Sequence, residues 1–82
     1  MFAEIINEVA NEMSEVSYVE YVDETHAVVY FYSNSRKSDY PYAFDLCDDG
    51  TVSYRPMATG PYAIANAPKF FAREVAERLG LL

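Results

Sequence analysis

The sequence predicts an α+β fold, a two-layer sandwich in which a four-stranded antiparallel sheet carries two helices packed on one face, in the order α-β-β-β-β-α. Three observations lead there. Apolar residues recur every three or four positions at both ends of the chain, as on one face of a helix. Between those ends the period falls to two, in stretches rich in Val, Tyr and Phe. Each stretch is interrupted by a short polar turn, and strands joined so closely pair antiparallel. With 82 residues, 51% of them hydrophobic, the chain can bury one core and not two, so residues 1–82 form a single domain.

The first helix is expected from Phe2 to about Glu15, where Phe2, Ile5, Ile6, Val9, Met13 and Val16 follow the helical spacing. Val16 to Asp23 and Ala27 to Ser33 then flank the polar Asp23-Glu24-Thr25-His26 and read as a hairpin. With Glu24-Thr25 at its tip, Val22 is expected opposite Ala27, Glu20 opposite Val29 and Tyr18 opposite Phe31. The other face of this ribbon then carries Val19, Tyr21, Val28, Tyr30 and Tyr32. Residues 33–39 are polar without periodicity and read as a loop.

A second hairpin follows. Tyr42, Phe44 and Leu46 alternate with Ala43, Asp45 and Cys47, and Asp48-Asp49-Gly50 turns the chain into Thr51–Arg55. A three-residue loop ending in Gly suits a type I turn with a bulge. That register sets Phe44 and Leu46 beside Val52 and Tyr54, leaving Asp45, Ser53 and Arg55 on the wet side. Pro56 to Asn66 is irregular, with Gly60 and Pro61 as breakers. Asn66 reads as an N-cap with Pro68 in the first turn of the last helix, which runs to about Leu79 and stops at Gly80. Phe71, Ala72, Val75, Ala76 and Leu79 are its core-facing residues.

This order resembles that of double-stranded-RNA-binding domains, which run α-β-β-β-α. Those domains hold RNA through basic residues, and the first helix here has none, so the family is not assigned.

The charge is distributed unevenly. Of a formal net charge of −7, the first thirty residues account for all: they hold seven acids and no Lys or Arg. Direct binding of nucleic acid or of an anionic membrane needs clustered cations, so neither is expected, whereas a basic protein partner is. A single cysteine, Cys47, rules out a disulfide within the chain and suits a reducing compartment. With no basic-then-apolar leader and no long apolar run, the expected location is the cytoplasm.

Two surfaces are candidates for partner binding. Glu4, Glu8, Glu12 and Glu15 share one face of the first helix without an interleaved cation, and like charges at that spacing destabilise a helix by about 0.2–0.5 kcal/mol per pair. A row of carboxylates about 6 Å apart approximates the phosphate spacing of a nucleic-acid strand and could occupy a basic groove. Its plainer role is a solvated face that keeps the protein soluble. The second candidate is Tyr21, Tyr30 and Tyr32, left on the side of the sheet away from both helices and suited to an interface with a target or in a homodimer. These rings could equally be core.

Catalytic chemistry has little to draw on. His26 is the only histidine and sits at a turn; Cys47 has no activating base nearby in sequence; Asp48-Asp49-Gly50 is explained by turn chemistry and lacks the further acids of a calcium loop. No catalytic residue, metal ligand or cofactor is assigned. The expected function is that of a small acidic, non-enzymatic interaction protein that inhibits or regulates a basic, nucleic-acid-handling partner. Phage-encoded inhibitors of host defence, anti-CRISPR proteins among them, are similar in size, charge and lack of catalytic residues. The alternative is an immunity protein or antitoxin that neutralises a cationic toxin with the same surface. A small enzyme is the third reading.

Overall fold

The computed structural model describes residues 1–57 and 66–81. The irregular segment with Gly60 and Pro61, and Tyr62 within it, lie outside the described residues. The elements are α1 (Phe2–Glu12), β1 (Val16–Tyr21), β2 (His26–Ser33), β3 (Ser38–Leu46), β4 (Val52–Pro56) and α2 (Ala67–Arg78). The strands pair antiparallel in the order β1-β2-β3-β4, and both helices pack on one face, α1 over β1 and β2 and α2 over β4. The order, the antiparallel sheet and the one-sided helix layer are those expected.

Helix α1 buries Phe2, Ile5, Ile6 and Val9. It stops three residues short of the expected Glu15. Met13 is already extended, at φ −103° and ψ 115°, and Glu15 is claimed by the sheet: its carbonyl accepts the Tyr32 N–H at 2.8 Å. The apolar spacing at Met13 and Val16 continues the helical period by coincidence, since Val16 serves β1 opposite Phe31.

The first hairpin differs from expectation by one residue. Its loop is Asp23-Glu24-Thr25, closed where the Val22 N–H donates to the His26 carbonyl at 3.1 Å. Asp23 Oδ1 accepts the Thr25 N–H at 2.9 Å, an Asx turn that holds three residues in the loop where two were expected. Tyr21 therefore stands opposite Ala27, Val19 opposite Val29 and Tyr18 opposite Tyr30. Because side chains alternate, the slip moves every β1 side chain from Tyr18 to Tyr21 to the other face. An irregularity between Val16 and Tyr18 returns Val16 to the helix side.

The second hairpin forms in the expected register, Phe44 opposite Tyr54 and Leu46 opposite Val52, with Gly50 at φ +81°. β3 begins earlier than its apolar alternation indicates and pairs back to Ser38, passing through Pro41. The Pro41 carbonyl accepts the Met57 N–H at 3.0 Å, so its nitrogen faces the same side, at the end of β4, where the missing N–H forgoes only the reciprocal bond to Met57. Asn66 caps α2 by position, without a side-chain bond. The far end closes in a Schellman motif: Gly80 at φ +77° sends its N–H to the Glu77 carbonyl, and Leu81 sends its own to Ala76.

The core is a ring cluster braced by aliphatics. Phe31, Phe44 and Phe71 are fully buried; Phe71 meets Phe31 edge-on at 5.7 Å and Phe44 at 4.9 Å between centroids. Ile6 and Val9 from α1, Val29 from the sheet and Val75 from α2 close around them. No buried side-chain polar atom among the described residues lacks a hydrogen-bond partner.

Candidate functional site

The acidic row of the first helix does not exist as an uncompensated stripe. Arg78, reaching across from α2, is held by three of its neighbours. Its Nη2 and Nη1 lie 2.6 and 2.8 Å from the two carboxylate oxygens of Glu12, its Nη1 is 3.5 Å from Glu8, and its Nε donates to Glu74 at 3.0 Å. The bidentate hydrogen bond from Arg78 holds the Glu12 carboxyl below its ordinary pKa, and the same bonds raise the Arg78 guanidinium above the usual arginine value. Glu4 pairs with the Met1 ammonium at 3.2 Å. Glu15 lies beyond the end of α1, on the connection to β1, and shares no helix face with the others. The expectation of four free carboxylates in line is thus corrected: Glu8 and Glu12 tie the two helices together, and the repulsion along α1 is relieved by a cation distant in sequence.

The tyrosine face is corrected in part. Tyr30 and Tyr32 lie on the side of the sheet that the helices leave open, as expected. Tyr21, flipped by the register of β1, lies on the helix side at the sheet edge, 46% exposed, with its hydroxyl donating to Asn7 of α1 at 3.2 Å. Its place on the open face is taken by Tyr18, which the sequence reading set on the opposite side. Tyr18 and Tyr30 stack almost parallel, 4.2 Å between centroids and 10° between planes. A hydrogen bond with Tyr18, then desolvation, raises the Tyr30 phenol above its ordinary pKa. The signal that would have found this arrangement is Asp23 followed two residues on by Thr25, the signature of an Asx turn.

The open face can therefore be set out strand by strand. Tyr18 and Glu20 of β1 stand opposite Tyr30 and Val28; Tyr32 stands opposite Asp39, and Pro41, Ala43 and Asp45 continue the face through β3 to Arg55 of β4. Val28 and Ala43 are buried between the larger side chains, while Tyr18 is 53% and Tyr32 40% exposed. Ser17 Oγ donates to Asp39 at 2.6 Å and steadies the rim beside Tyr32. Glu20, Asp39 and Asp45 give this face an acidic rim, with Arg55 as a cation among them and His26 at one end.

His26 sits at one end of the open face between two carboxylates. Its Nδ1 is 2.8 Å from Asp23 Oδ1 and its Nε2 is 3.7 Å from Asp45. The hydrogen bond to Asp23 is the largest cause raising its pKa above 6.5. Asp23 is lowered from 3.8, first by the Thr25 N–H and then by His26. With an acid beside each nitrogen, the imidazole is arranged as a turn clasp. Cys47 is half-buried, with its Sγ 3.5 Å from Ser53 Oγ. Among the described residues no cluster of three or more His, Cys, Asp or Glu is placed to hold a metal ion, and no helix is long and apolar enough to cross a membrane.

A groove of about 500 Å³ lies between the end of α1 and the edge strand β1, lined by Asn7, Asn11, Ser14 and Ser17 as well as by Ala10, Met13, Val19 and Tyr21. Comparison with protein families, with curated proteins and with solved structures finds no match to this chain, so its surfaces alone carry the functional reading.

Proposed function

We propose that this chain is a small, non-catalytic interaction protein of the cytoplasm that binds a basic protein through the open face of its sheet. One observation supports this reading above others. A four-stranded sheet with helices on one side only presents, on the other, a stacked Tyr18–Tyr30 pair and an exposed Tyr32 inside an acidic rim. Rigid rings give contact area at small entropic cost, and the carboxylates around them favour a cationic partner. A partner that handles nucleic acid has such a cationic surface, and inhibition by occupying it, in the manner of a phage-encoded inhibitor of host defence, is the role we assign.

The test is affinity capture of the partner from the native host, followed by titration of the purified pair. Tyr18→Ala and Tyr32→Ala are expected to weaken binding by about 1–3 kcal/mol each, as central aromatics do, and affinity is expected to fall as salt rises. Glu77→Lys, on the exposed side of α2, serves as the control. Reversal of Glu8 and Glu12 cannot serve, because both hold Arg78. Unchanged affinity in both tyrosine variants removes the open face from the interaction.

A further inference from the structure

Strand β1 ends the sheet, and nothing among the described residues pairs with its outer side. The Val22 N–H donates inward to His26, so in an antiparallel ladder Glu20 and Tyr18 also bond inward, and the amide and carbonyl groups of Val19 and Tyr21 point away from β2. The local irregularity that usually blunts such an edge lies between Val16 and Tyr18, leaving Tyr18 to Tyr21 as a regular run. Directly outside that run is the groove between α1 and β1.

From these features we infer that β1 accepts an extended, basic polypeptide segment of the partner as a fifth strand, a mode of binding that rests on the interaction reading above. An added strand sends alternate side chains to the two sides of the sheet. Those opposite Val19 and Tyr21 enter the groove, where Asn7, Asn11 and Ser14 stand beside Ala10, Met13 and Val19 and suit small side chains. Those between them emerge beside Tyr18 and Glu20 on the open face, where an ammonium or guanidinium meets both a ring and a carboxylate. The matching segment alternates small side chains with Lys or Arg. Charge decides against a second copy of this chain as the occupant. The first thirty residues hold seven acids and no Lys or Arg, so joining two β1 edges would bring two acidic surfaces together.

The probe is a synthetic peptide of alternating Val and Lys, about eight residues long. Binding is followed by the protection of the Val19 amide against hydrogen exchange and by fluorescence anisotropy. Two variants separate main-chain pairing from side-chain contact. Tyr21→Ala and Tyr21→Pro both remove the ring, but only Pro removes the outward N–H, and because that group faces away from β2 the inner ladder is kept. The peptide is expected to protect Val19 and to bind Tyr21→Pro at least about tenfold more weakly than Tyr21→Ala, with circular dichroism of the two variants alike. Glu20→Lys is expected to weaken it by a similar factor. No binding at millimolar peptide, equal binding by the two Tyr21 variants, or protection of Val19 by self-association without peptide overturns strand addition. If the captured partner loses affinity for Tyr18→Ala but binds Tyr21→Pro as it binds Tyr21→Ala, the interaction reading stands and strand addition falls.

Discussion

Replacing Phe71 by alanine tests the core most directly, because its neighbour Phe70 supplies an internal control on the same turn of α2. Phe71 is fully buried, in contact with the rings of Phe31 and Phe44, whereas Phe70 is 56% exposed. Removing the Phe71 ring withdraws roughly 150 Å² of apolar surface, worth about 4 kcal/mol at 25 cal/mol/Å². Two ring–ring contacts add about 0.5–1.5 kcal/mol each, while the side-chain entropy returned and the partial collapse of the cavity offset some of this. The expected loss is about 3–5 kcal/mol, the range measured for buried Phe→Ala substitutions. A domain of this size has a total stability of about 4–12 kcal/mol, so Phe71→Ala is left near its unfolding threshold. In urea titrations followed by circular dichroism, the midpoint should fall steeply with the slope unchanged, or the variant should be unfolded without denaturant. Phe70→Ala should stay within about 0.5 kcal/mol of the parent. Equal effects of the two substitutions would refute the assignment of Phe71 as the residue that pins α2 to the sheet. The same reasoning applies to Phe44→Ala from the sheet side.

Two further predictions follow from the charged clusters. Arg78→Gln leaves Glu8, Glu12 and Glu74 facing one another, so its urea midpoint should fall below that of Arg73→Gln, and added salt should recover part of the difference; identical midpoints would remove Arg78 as the clasp between the helices. His26 has its pKa raised in the folded state, so its contribution to stability is present below 6.5 and is lost as pH rises through the folded value. Asp23 is lowered, so its contribution is present above 3.8 and is lost as pH falls through its folded value. The pair thus contributes most between those limits. His26→Gln should flatten the decline of stability as pH rises from 6.5 through the folded value, and an NMR titration of the imidazole that gives an ordinary or lowered pKa would contradict the clasp.

Periodicity was sufficient for the element types, because burial on one face of a helix and on one face of a strand leaves repeats of 3.6 and 2 in the chain itself. The second hairpin was legible down to its register, since Gly50 specifies the positive φ of its loop and the loop length follows. The first hairpin was not. Its tip has no glycine, and the choice between a two- and a three-residue loop rests on bonds to the Asp23 carboxylate, first the one donated by the Thr25 amide. Those bonds decide which of Tyr18 and Tyr21 faces the open side, and with it the composition of the candidate site.

The sequence by itself determined the order of elements, the one-sided helix layer, the core faces of the two helices and the location of the acid excess in the first thirty positions. All of these follow from local spacing and composition. What only the tertiary structure decided are the pairings between segments far apart in the chain. Glu12 and Arg78 are 66 residues apart and meet because α1 and α2 lie side by side on the sheet. No one-dimensional pattern encodes that contact, and it turns an apparent row of free carboxylates into a helix-to-helix clasp. Among the described residues Glu20 keeps its charge unpaired on the edge strand, since β1 has β2 as its one neighbouring strand and neither carries a Lys or Arg.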